Sequence, residues 1–263
     1  MAIWRKVCIG LVAAAGITAA AAYGLDAADR AYPPPLEAAA TVSAEVLDAD
    51  GQLLRAFATP EGRWRLKATT EDVDPQFLKM LVAYEDRRFY DHAGVDFMAL
   101  GRAAYQLVTN GRIVSGASTL SMQVARLIEP RDGRSFGSKL LQIVRAVQIE
   151  RRLDKQDILN LYLTRAPYGG NLEGVRAASL AYFGKEPRRL TVAQAALLVA
   201  LPQLPEKRRP DRHLAAAEAA RKRVLSRMAV VDVIGEGEAD RAELSVIPTR
   251  RLQLPAFAAH LAE

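Results

Sequence analysis

The residues best placed to do chemistry lie in the stretch Ala83 to Asp96, which closes an apolar run, Phe77-Leu78-Lys79-Met80-Leu81-Val82. On a 3.6-residue period Leu78, Leu81, Val82, Glu85 and Phe89 share one helical face, so Glu85 is a carboxylate on an apolar stripe. Burying a carboxylate is costly unless it is paired, and desolvation raises its pKa. A carboxyl group poised in this way suits general acid or base work. It equally suits an ion pair with Arg88 or a lysine elsewhere, and Glu85 alone does not decide between the two. A second pattern runs from Ser115 to Leu127, where Gly116 permits a tight turn and Ser118 or Thr119 can cap the next helix. Thr119, Gln123 and Arg126 then form a polar stripe at i, i+4 and i+7, opposite Leu120, Val124 and Leu127. The stripe begins at a helix N-terminus, whose free N–H groups can hold an anion. In a third pattern Lys139, Gln142 and Arg145 recur at i, i+3 and i+6 on a basic amphipathic helix, Phe136 to Leu153.

The elements that position these residues follow from the same local signals. The helix carrying Glu85 is predicted from about Pro75 to Tyr90, and a second from Phe97 to Thr109. Asp154 can cap a helix from Lys155 to Leu163, and Ala166-Pro167-Tyr168-Gly169-Gly170-Asn171 reads as a turn-rich loop. A helix from Leu172 to Phe183 stops at Gly184, and Thr191 with Gln194 forms a capping box for an apolar helix through Ala200. Leu201-Pro202-Gln203-Leu204-Pro205 breaks that helix, and a long one runs from His213 to about Val231. Upstream, Ser43 to Leu47 and Gln52 to Phe57 flank the hairpin signal Asp50-Gly51, with Trp64 to Lys67 as a third short strand.

Val7 to Leu25 is an uncharged apolar run preceded by Arg5 and Lys6, long enough to cross a bilayer core. It reads as a retained anchor with the positive flank inside, or as a signal peptide cleaved near Ala19 to Ala22. Either way the body of the chain faces the extracytoplasmic side, which argues against ATP-driven chemistry and against DNA. The implied division is a cytoplasmic stub and anchor over 1–30, a Pro-rich linker and small β unit over 31–70, a helical domain over 71–247 and an extended tail over 248–263. A net charge of +6 favours anionic partners, but no nucleic-acid motif accompanies it. Cys8 is the only cysteine and the three histidines are far apart, so neither a disulfide nor a metal-ligand spacing appears.

Taken together, Glu85-Asp86-x-x-Phe89-x-x-His92-x-Gly94, Gly116-x-Ser118-Thr119-Leu120-x-x-Gln123, Lys139, Ile158-Leu159-x-x-Tyr162-Leu163, Tyr168-Gly169-Gly170 and Ala178-Ser179-x-x-Tyr182-Phe183-Gly184-Lys185 resemble the peptidoglycan glycosyltransferase (family 51) domain of class A penicillin-binding proteins. The resemblance covers about Ser43 to Met228. Met122-Gln123-Val124-Ala125-Arg126 and Arg165 to Gly170 look most like the penicillin-binding protein 1C branch. It implies a mainly α, lysozyme-like fold of two lobes, preceded by a transmembrane helix and a small β hairpin unit. It also implies a single-pass inner-membrane protein with its catalytic domain on the periplasmic side. The substrate would be lipid II with the growing glycan strand, and the other partners cell-wall synthesis proteins. Glu85 matches the general base. Asp86, Phe89, His92 and Gly94 complete its motif; Ser118, Thr119, Gln123 and Arg126 match the second motif, with Arg126 where relatives usually carry Lys. Lys139 matches a cation of the third, and Tyr168 a substrate-loop position. No cofactor is demanded, although Mg²⁺ or Mn²⁺ with Asp86 as a ligand could share the diphosphate charge.

The third motif departs from the family. Gln142 stands where relatives have a second catalytic Glu, and Ser138 where they have Arg. Gln positions a group but carries no charge. Arg134 or Arg145 could replace the missing cation, and Glu150 is the nearest substitute acid. Two other readings stay open: a lysozyme-like hydrolase using Glu85 as acid, and an inactive wall-synthesis scaffold. The transpeptidase signatures Ser-x-x-Lys and Lys-Thr-Gly of bifunctional relatives do not occur in this sequence.

Overall fold

The structure, a computed structural model, describes Trp4, Gly16, Ala19, Ala20 and residues 22–111, 118–130 and 135–257. Most of the predicted anchor, the Gly116 turn and the loop 131–134 lie outside the described residues. Among those described, no helix is long and apolar enough to cross a membrane. From residue 75 onward the α-helices are, in chain order, α1 (Pro75–Glu85), α2 (Phe97–Asn110), α3 (Leu120–Ile128), α4 (Phe136–Glu150), α5 (Lys155–Arg165), α6 (Val175–Phe183), α7 (Val192–Ala200), α8 (Leu214–Val230) and α9 (Glu236–Glu243). The expected mainly helical class is what the described residues adopt.

The core forms around α7. Ala193 and every residue from Ala195 to Ala200 are buried, as an all-apolar helix requires. The capping box is present: Gln194 N–H donates to Thr191 Oγ1 at 3.2 Å and Thr191 N–H to Gln194 Oε1 at 3.0 Å. Helices α8 and α1 pack along α7, and α1 contributes Phe77, Met80 and Leu81, all fully buried. Asp74 caps α1 by accepting from Gln76 N–H at 2.8 Å, with Pro75 at the first helical position. A second group packs α3 against α4 and α5. One carboxylate ties its members together: Glu150 at the end of α4 accepts from Ser121 Oγ of α3 and from Lys155 Nζ of α5, the latter at 2.6 Å. Both bonds fall on Oε1, so Glu150 serves to tie α3, α4 and α5 together.

Two small sheets flank the helices. Strands β1 (Glu45–Leu47) and β2 (Leu53–Ala56) form the expected antiparallel hairpin. Asp48 holds its turn by accepting from the N–H groups of Asp50 and Gln52 at 2.9 and 2.7 Å. The third strand, β3 (Trp64–Arg65), pairs in parallel with β4 (Leu172–Glu173) and not with the hairpin. This corrects the helix predicted from Leu172. Gly174, at φ +83°, turns the chain between β4 and α6, and a Cβ there would lie 2.5 Å from the Thr164 carbonyl oxygen. The apolar period from Leu172 onward is equally compatible with both readings. Helix α9 was not anticipated, because its acidic sequence has no apolar stripe.

Residues 22–31 are helical and run beside the C-terminal end of α4. Arg151 pairs with Asp26, Arg152 with Asp29 at 2.9 Å, and Arg145 donates to the Tyr32 carbonyl. At the other end of the chain, Arg251 of the extended tail donates to the Gly169 carbonyl at 2.6 Å.

Candidate active site

Glu85 is the last residue of α1, half-buried, with both carboxylate oxygens engaged. Gln123 of α3 donates to Oε2 at 2.9 Å, and Gln203, in the 3₁₀ turn after α7, donates to Oε1 at 2.8 Å. The predicted helix to Tyr90 stops here for a local reason. Asp86 leaves helical geometry, at φ −157° and ψ 76°, and turns its carboxylate inward. Its Oδ2 accepts from the N–H of Leu120, the first residue of α3, at 2.9 Å, and His92 Nε2 lies 3.1 Å from both oxygens. Burial pushes the Asp86 carboxyl above the usual range, and the Leu120 N–H and His92 offset part of that rise. The chain then passes through a short 3₁₀ turn, Phe89–Asp91, which sends the Phe89 ring into the core.

The same loop is fastened at two more points. Lys155 Nζ donates to the His92 carbonyl at 2.6 Å and sits 4.4 Å from the centre of the Phe89 ring. Thr119 Oγ1 donates to the Gly94 carbonyl at 2.6 Å and accepts from Met122 N–H at 3.1 Å, so the expected N-cap of α3 also clamps the loop.

Along the same face of α3 the site becomes cationic. Arg126 is exposed, one turn beyond Gln123. Lys139 of α4 donates to Ser118 Oγ at 2.6 Å. Burial lowers the Lys139 pKa from its ordinary 10.5, and the nearby charge of Arg126 lowers it further. No carboxylate among the described residues pairs with either cation. Two positive charges with no carboxylate partner among the described residues suit a diphosphate. Because Gln123 and Arg126 are one turn apart, α3 joins the carboxylate to this cation pair within about 5 Å along its axis.

The structure therefore brings Glu85, Asp86, His92, Gly94, Ser118, Thr119, Gln123, Arg126 and Lys139 into one constellation. It treats others differently. Phe89 and Tyr168 are fully buried, so neither side chain opens to a ligand; they pack behind the site. Burial and the Glu85 charge raise the pKa of the Tyr168 phenol, and the Tyr162 phenol rises for the same reasons. Arg145 is buried in the contacts that hold Glu129 at 2.7 Å and the Tyr32 carbonyl, and so does not replace the missing cation. Gln142 is half-buried one turn along α4 from Lys139. Asp86 does not fit a divalent-cation ligand: it is buried and its oxygens face the Leu120 N–H and His92. Among the described residues no group of three or more His, Cys, Asp or Glu converges on a metal position. Two neighbours of Glu85 escaped the sequence reading, Gln203 and, behind it, Arg208. Their segment, Leu201 to Arg209, carried only helix-breaking and basic signals, and no local pattern points 118 residues back to Glu85.

A half-buried carboxylate held by two amides lies close to two cations that no described carboxylate pairs with. Residues 50–229 match the family described as transglycosylase, and the chain belongs to that family. It is 45% identical over 250 residues to penicillin-binding protein 1C of Escherichia coli K12, covering 95% of this chain and 32% of that protein. It is 36% identical to penicillin-binding protein 1A of Haemophilus influenzae over 75% of this chain and 23% of that one. The higher identity fits the 1C branch, and the chain spans about a third or less of the length of these relatives. The crystal structure of the Haemophilus influenzae 1A protein aligns with 81% of the chain at 22% identity and a TM-score of 0.46.

Proposed function

We propose that this domain polymerises lipid II into glycan strands. The 4-hydroxyl of an acceptor GlcNAc attacks the anomeric carbon of the donor MurNAc, and Glu85 takes the hydroxyl proton. The glycosyl–phosphate bond breaks with inversion and undecaprenyl diphosphate leaves with the bonding electrons. Lys139 and Arg126 stand where charge grows on that diphosphate, and preorganised cations there lower the barrier. The observation that carries this reading is the span of α3, which contacts Glu85 through Gln123 and presents Arg126 beside Lys139. A hydrolase has no diphosphate to neutralise. The exposed apolar side chains of α2, among them Phe97, Met98, Tyr105 and Val108, with Leu140 of α4, support a substrate delivered from a lipid surface.

The test is incubation with labelled lipid II and, separately, with preformed glycan. Polymer from lipid II supports the proposal. Shortening of preformed glycan without polymerisation would replace it with the hydrolase, and no turnover of either would leave a scaffold.

The lowered pKa of Lys139 sets a pH dependence. A lysine depressed in the fold loses its charge as pH rises through a value below 10.5. A reaction that needs the cation therefore falls off on the alkaline side earlier than an ordinary lysine would dictate. Lys139→Arg is expected to shift that alkaline limb to higher pH, and Lys139→Ala to reduce turnover more than acceptor binding. A limb unmoved in the Arg variant, or equal losses in the Ala variant, would remove Lys139 from the leaving-group end.

A further inference from the structure

We infer that Arg208 is a positioning residue for Glu85, acting through the side-chain amide of Gln203. The inference rests on the reading of Glu85 as general base. Arg208 Nη1 donates to Gln203 Oε1 at 3.1 Å and to the Ala200 carbonyl, the last of α7, at 2.6 Å. The second bond fixes the guanidinium at the negative end of a helix, where it is favoured. A guanidinium has donors only, so just the carbonyl end of the Gln203 amide can face it. The N–H₂ end must then face Glu85, 2.8 Å from Oε1. The opposite oxygen receives the N–H of Gln123 at 2.9 Å.

Without Arg208 the Gln203 amide is free to turn over and offer its carbonyl. A carbonyl accepts from a protonated carboxyl and so favours the acid form, whereas an N–H favours the carboxylate. Gln203 is otherwise exposed, and a surface Gln has several rotamers to lose. Arg208 selects the one amide orientation that keeps Glu85 ready to accept a proton.

Other groups bear on the charge of Glu85. The buried phenols of Tyr162 and Tyr168 interact with it, and Arg126 acts on Tyr162. Tyr84 and Asp86 flank it in the chain. From α8, Arg223 acts on Arg208, and Arg227 lies 5.0 Å from the centre of the Tyr84 ring.

The experiment is a pH profile of kcat/KM on lipid II for the full chain and for Arg208→Met, Gln203→Met and the double variant. The Glu85 carboxyl is titrated in parallel by its ¹³Cδ resonance, assigned against Glu85→Gln. Arg208→Met is expected to move the acid limb and the ¹³C titration up by roughly half a unit to one unit, with smaller losses at high pH. Gln203→Met should do the same, and adding Arg208→Met to it should add nothing. If the Arg208→Met shift persists in full in the Gln203→Met background, the guanidinium acts through space and the relay is overturned. A uniform loss at every pH with no titration shift would make Arg208 merely structural and would also overturn it. If the titration moves as expected while Glu85→Gln still polymerises, the positioning stands and the base assignment fails.

Discussion

Glu85→Gln is expected to lower lipid II polymerisation by roughly two to four orders of magnitude, the range ascribed to a positioned general base. The substitution keeps the shape of the side chain and removes its ability to take a proton. It also places an N–H₂ group where Gln123 and Gln203 both present N–H donors. One of the facing amides must turn, and Gln123 is free of the guanidinium that restrains Gln203. Because Glu85 is half-buried and lies at a helix end, the lost hydrogen bond should lower stability by only about 1 kcal/mol. Rate and thermal unfolding measured on the same preparation separate the two effects. A variant that retains more than about a tenth of the wild-type rate would be inconsistent with Glu85 as the base.

Gly94→Ala should be the most destabilising single change in the loop between α1 and α2. Gly94 adopts φ +93°, and a Cβ there would lie 2.9 Å from the carbonyl carbon and oxygen of Ala146 in α4. Both obstacles are backbone, so neither yields by a rotamer change. Backbone strain at positive φ and forced overpacking each cost about 1–3 kcal/mol, about 2–6 kcal/mol together, which lowers the melting temperature by roughly 4–24 °C in a chain of this size. Activity should fall further than stability alone explains. The Gly94 carbonyl holds Thr119 Oγ1, so pushing the loop off α4 parts Asp86 from the α3 N-terminus. Gly51→Ala is the control: Gly51 has φ +78° but nothing within 4 Å of its Cβ position. Equal melting shifts in the two variants would show that strain, and not the approach to α4, accounts for the loss.

The parts of this site that could be read from sequence are those written in local signals. Thr119, Asp154 and Thr191 with Gln194 cap the helices they were expected to cap. The apolar face under Glu85 and the polar stripe of α3 follow from one helical period. What the sequence could not express is long-range pairing. The β3–β4 contact joins Trp64 to Leu172, and Gln203 reaches Glu85 across 118 residues. Neither leaves a mark in the neighbouring residues. The inward turn of Asp86 is a third case. Helical periodicity carries the stripe on to Phe89, whereas the buried acceptors of Asp86 find better partners at Leu120 and His92 than in solvent. Arg145 shows the opposite error. Its spacing with Lys139 suggested a shared role, but burial and Glu129 claim it for packing.

The fastening of residues 22–32 to the end of α4 makes that helix a gauge of length. Asp26 and Asp29 grip Arg151 and Arg152 at one end, and Lys139 stands about 18 Å away towards the other, at 1.5 Å per residue. A straight helix transmits tilt without changing length. Displacing the N-terminal segment therefore swings Lys139 through an arc in place of stretching the linkage. The height of Lys139 above the N-terminal segment is thus written into the number of residues between two arginines and a lysine, and inserting or deleting a turn of α4 would reset it.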